Sequence, residues 1–118
     1  MRWLVVCASL AACHPHRRST LPPPPVEQAR AQIASARQAL ADAEAQQAAG
    51  DPRAAYEAAL RGVDALGRDY LTPSAKDDTG QHLALADELA RAGQIADAAR
   101  EAIASLRSRI AQYEARYR

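Results

Sequence analysis

Ala48-Ala49-Gly50-Asp51-Pro52-Arg53 interrupts a long alanine-rich stretch, and its reading decides the fold. Gly50 suits the left-handed residue that closes a helix, and Asp51 suits the N-cap of a following one. Pro52 suits a first helical position, where its missing N–H is no loss. One helix that ends here and another that begins at once form an antiparallel hairpin.

Before the break, Val26, Ala29, Ile33, Ala36, Leu40 and Ala43 recur at alternating steps of three and four, the period of one helical face. Pro25 just ahead and Glu27 in the first turn suit a start at Val26, and the helix is expected to reach about Ala49. After the break, Tyr56, Ala59, Val63, Leu66 and Tyr70 repeat the stripe, which weakens around Gly67 and Thr72-Pro73. Leu71 to Gly80 carries Pro73, Ser74, Asp77, Asp78, Thr79 and Gly80 and reads as a loop, with Ser74 able to cap an early turn.

A third helix is expected from about Gln81 with Leu85 and Leu89 on its stripe, and a fourth with Ala99, Ile103, Leu106, Ile110, Tyr113 and Tyr117. Two outcomes are open between them. Leu85, Leu89, Ala92, Ala96, Ala99, Ile103, Leu106, Ile110, Tyr113 and Tyr117 keep a heptad without a slip, as one coiled-coil helix would. Gly93 inside that helix costs only about 1 kcal/mol. An internal repeat argues instead for a turn at Gly93-Gln94. Gly50 and Gly93 are each followed by paired alanines and then Glu-Ala, at Ala54-Ala55 with Glu57-Ala58 and at Ala98-Ala99 with Glu101-Ala102.

Leu85-Ala86, Leu89, Gly93 and Ala98 resemble the signature of a tetratricopeptide repeat, and Asp42-Ala43, Gln46, Gly50 and Ala55 form a poorer copy. Both copies lack that family's aromatic residues and closing proline, and about 43 residues separate them where the family has 34. The expected fold is all-α: antiparallel helical hairpins of about four helices, tetratricopeptide-like or a bundle, over residues 26–118.

Alanine supplies 30 of the 118 residues, there is no Phe, and Ile, Leu, Val and Tyr together number 18 from Val26 onward. Such a core buries little apolar area, at about 25 cal/mol per Å². Alanine compensates as the best helix former and by letting helix backbones approach closely. The thin margin points to self-association or packing on a protein partner.

Residues 1–25 read differently. Met1-Arg2 followed by an apolar run of about ten residues from Trp3 has the layout of a signal peptide. That run is half the roughly twenty residues a membrane-spanning helix needs. Leu10-Ala11-Ala12-Cys13 resembles the lipobox of bacterial lipoproteins, in which a branched residue and two small ones precede an obligatory cysteine. The resemblance implies that residues 1–12 are removed as a signal peptide, with Leu10, Ala11 and Ala12 recognised at the cut. It also implies that Cys13 is lipidated, with palmitate-type acyl chains. Each buried methylene then adds about 0.8 kcal/mol to membrane binding. Cys7 follows a bulky Val6 and reads as part of the discarded signal.

His14, rather than Asp, follows Cys13, which by the same resemblance favours the outer membrane, facing the periplasm. Residues 13–25 then form a linker. Pro22-Pro23-Pro24-Pro25 excludes helix and sheet and favours polyproline II at about 3.1 Å per residue. Cys13-His14-Pro15-His16 is a poor metal site, because a thioether sulfur is a weak ligand and no carboxylate stands nearby.

Without Arg2 the chain has 14 basic and 14 acidic residues, intermixed, so nucleic acid is not an expected partner. There is no phosphate-binding loop, metal-binding helix or nucleophile elbow, and His82 is the body's one histidine. No enzyme activity, cofactor or small-molecule substrate is expected. The expectation is a membrane-anchored helical module that contacts a protein partner, with a coiled-coil spacer or self-associating lipoprotein as the alternative. Tyr113 and Tyr117, at the end of the last apolar stripe, are the candidate contact residues.

Overall fold

The computed structural model describes residues 25–67 and 79–117. Within them it is all-helical: α1 (Val26–Ala48), α2 (Pro52–Leu66), α3 (Thr79–Arg91) and α4 (Ile95–Arg116). The signal-peptide reading and all of the linker except Pro25 lie outside the described residues, as do Tyr70 and most of the expected loop. Thr79 and Gly80, expected in that loop, already belong to α3.

The break at Gly50 forms as its residues dictate. Gly50 takes a φ of 80°, its N–H donates to the Gln47 carbonyl at 3.1 Å, and the Asp51 N–H donates to that of Gln46 at 2.9 Å. This is the Schellman arrangement, which satisfies carbonyls orphaned at a helix end. The Asp51 carboxylate then accepts from the Ala54 N–H at 3.1 Å and caps α2.

Gly93 repeats the geometry. Its φ is 83°, its N–H donates to Ala90 at 3.1 Å, and the Gln94 N–H donates to Leu89 at 2.9 Å. The continuous heptad therefore does not form one helix: the chain reverses, and Ala92 and Ala96 of the unbroken stripe are exposed. The repeat seen in the sequence has matching environments as well. Ala43 and Ala86 are buried at equivalent positions, and so are Ala55 and Ala98.

Leu85 is a second correction. It is 42% exposed, while Ala86 is buried and Leu83 packs against the core, so the inner face of α3 is one position away from the expected stripe. The cause is that α3 packs on α4 alone among the four helices, and that single contact sets its rotation. By contrast α4 packs on α1, α2 and α3.

Large side chains gather toward the end of the body away from the two turns, where Val63, Leu66, Leu106, Ile110 and Tyr113 surround Ala36. Toward the turns the core is nearly all alanine, with Ala43, Ala58, Ala59, Ala86 and Ala102 around Ile103. Gly62 marks the closest approach between helices. A Cβ built there would meet Leu106 Cδ2 at 2.6 Å and Ala39 Cβ at 3.1 Å, so α1, α2 and α4 converge on one missing side chain. Ser105 and Arg109, both on α4, are buried as well, and neither is without a partner.

Candidate interaction surface

α1 and α4 run antiparallel and enclose a surface groove of about 490 Å³ lined by Arg30, Ile33, Ala34, Arg37, Glu114 and Tyr117. Arg30, Ile33, Ala34 and Arg37 fall on one side of α1 because they are spaced three, four and seven residues apart. Glu114 and Tyr117, three residues apart, form the facing wall. One end is closed by the ion pair between Arg37 and Glu114. At the other end Arg30 has no ion pair or hydrogen bond among the described residues.

The two candidate tyrosines lie on different sides of this wall. Tyr113 is 1% exposed, a core residue whose hydroxyl donates to the carbonyl of Leu66, the last residue of α2. It satisfies a carbonyl left without an intrahelical partner and has no surface to offer. Tyr117 is half-buried and lines the groove, with its ring 5.9 Å from that of Tyr113 and tilted by 38°. Its hydroxyl is covered and has no hydrogen-bond partner among the described residues, a state that costs about 1–3 kcal/mol.

No family model, curated protein or solved structure matches this chain. The surface therefore rests on its own geometry.

A second groove, of about 370 Å³, separates α2 from α3 and is lined by Tyr56, Leu60, Gly80, Leu83, Ala84 and Asp87. Next to it α3 is tied to α4 by His82, whose Nδ1 lies 2.6 Å from a Glu101 carboxylate oxygen. Both side chains are partly buried, so this pair is less screened than those on the outer faces.

Leu10, Ala11, Ala12 and Cys13 lie outside the described residues. No helix among the described residues is long and apolar enough to cross a membrane, and no group of three His, Cys, Asp or Glu there is placed to hold a metal ion. Sequence reasoning did not single out Arg30 and Arg37. Their spacing around Ile33 and Ala34 was the available signal, but it looks like any polar edge of an amphipathic helix until α4 supplies the opposite wall.

Proposed function

We propose that this chain is a lipid-anchored protein of the bacterial cell envelope whose helical body is an adaptor for a protein partner. The observation that carries the reading is Leu10-Ala11-Ala12-Cys13 directly behind a short positive and apolar start, followed by four consecutive prolines. On this reading the Cys13 thiol carries diacylglyceryl, the new N-terminus is acylated, and residues 14–25 stand the body off the bilayer. His14 supports placement in the outer membrane, facing the periplasm.

The adaptor half of the proposal draws support from hairpins in place of a single long rod. Stacked hairpins, tetratricopeptide-like or otherwise, leave grooves between helices, and the α1/α4 groove has an apolar wall beside Arg30, a cation with no partner among the described residues. A self-associating lipoprotein is the second reading, favoured by Val26 and Leu85, which are 49% and 42% exposed on separate helices.

The test is metabolic labelling with a palmitate analogue, followed by membrane fractionation, for the parent and for Cys13→Ser. Label and membrane association in the parent, both lost in the variant, are the expected result. Equal fractionation of the two would overturn the anchor. Crosslinking in cells then separates the two readings of the body, since recovery of only this chain supports self-association.

A further inference from the structure

We propose that the α1/α4 groove receives a polypeptide segment in which a carboxylate lies beside an aliphatic or aromatic side chain. The inference deepens the adaptor reading, on which it rests for the partner being a protein, by naming the chemistry recognised.

The argument starts with charge. The groove holds two guanidinium groups and one carboxylate, and Arg37 and Glu114 neutralise each other. Among the described residues Arg30 alone of the three has no charged partner, so the complementary group on a ligand is an anion. Among anions, a carboxylate matches the planar fork of a guanidinium through two parallel hydrogen bonds.

Next comes the neighbourhood of that charge. Ile33, Ala34 and the Tyr117 ring form an apolar wall beside Arg30, and the covered Tyr117 hydroxyl lacks a hydrogen-bond partner among the described residues. An apolar side chain adjacent to the bound carboxylate covers this wall.

Depth decides between a polypeptide and a small molecule. Arg30, Ala34 and Arg37 are exposed and Ile33, Glu114 and Tyr117 half-buried, so no residue of the lining is deep. Small ligands are usually held in sites that cover roughly 70–90% of their surface, which so open a groove does not provide. A polypeptide can seat one or two side chains here and find its remaining contacts on the surrounding helix faces.

The experiment uses the full chain as cells make it, in nanodiscs of zwitterionic lipid, with empty nanodiscs as blank. The probe is a fluorescein-labelled hexapeptide with a central Leu-Glu-Leu, compared with its Leu-Gln-Leu counterpart by fluorescence anisotropy. Saturable binding of the acidic peptide is expected, about tenfold weaker for the neutral one. Arg30→Gln should bring the acidic peptide down to the affinity of the neutral one without changing thermal unfolding. Ile33→Ser should weaken both peptides.

No saturable binding at sub-millimolar protein, or acidic-peptide binding indifferent to Arg30→Gln, would overturn the proposal. So would tighter binding of dodecanoate than of the peptide, with the same dependence on Arg30, because it would assign the groove to a small amphiphile. Failure here together with a crosslinked protein partner leaves the adaptor reading standing. Arg30-dependent binding by a chain that proves unlipidated removes the anchor and keeps the groove.

Discussion

Arg107 of α4 reaches Glu44 of α1 at 2.6 Å, and about two helical turns away on both helices Arg37 pairs with Glu114. The signs alternate along each helix, so the antiparallel alignment joins opposite charges. A parallel alignment over the same residues would set Arg37 against Arg107 and Glu44 against Glu114. The pairs thus choose an orientation while adding little stability, since both stand at the surface with at least a third of each side chain exposed to solvent.

Reversing one charge with Arg107→Glu should destabilise the body by about 0.5 kcal/mol. The swap Glu44→Arg with Arg107→Glu should restore most of that loss. Urea denaturation of the four proteins in the cycle measures the coupling, and salt should shrink it.

Tyr113→Phe keeps the ring in the core and removes only the hydroxyl that donates to Leu66. The Leu66 carbonyl at the end of α2 is then left without this donor, and a loss of about 1–2 kcal/mol is expected. Tyr113→Ala should cost about 3–5 kcal/mol, because it also empties the fullest part of the core. Chemical denaturation separates the two contributions, and equal losses would show that the hydroxyl matters little.

Gly62→Ala places a methyl group on the Leu106 side chain and near Ala39. Overpacking of this kind costs about 1–3 kcal/mol. Leu106→Val withdraws the clashing atoms, so the double variant should lose less than the sum of the single ones. Simple additivity would mean that the convergence of α1, α2 and α4 at this point is looser than described.

α3 should open before the rest of the body, because α4 is the only helix it packs against. Amide exchange is expected to be faster throughout α3 than in the middle of α4. His82→Ala should widen the difference by removing the contact with Glu101. Uniform protection across α3 and α4 would contradict a separate opening.

The legibility of this fold was uneven, for physical reasons visible at particular residues. Gly50, Asp51 and Pro52 act locally: each prefers its observed conformation whatever surrounds it, so the first hairpin could be read directly. Gly93 was ambiguous, because a lone glycine is cheap enough to remain inside a helix, and the contacts of α4 with α1 and α2 that reward the turn join residues distant in sequence. The exposure of Leu85 has the same origin, since a leucine-based stripe ignores the small Ala86 at which α3 meets its only neighbour.

The candidate surface was legible in part. Tyr113 and Tyr117 belong to one apolar stripe and differ in burial only because Tyr113 meets the end of α2. The contribution of α1 was hidden until two helices far apart in the chain came together.

Of the four helices, the one on which the others all lean is the last to leave the ribosome. Until α4 emerges, the earlier segments lack Leu106, Ile110 and Tyr113, the greater part of the large-residue cluster. The growing polypeptide thus carries a capped, alanine-lined hairpin whose large-residue cluster stays incomplete until α4 joins it. A stop codon anywhere before residue 95 therefore removes the helix that completes this cluster.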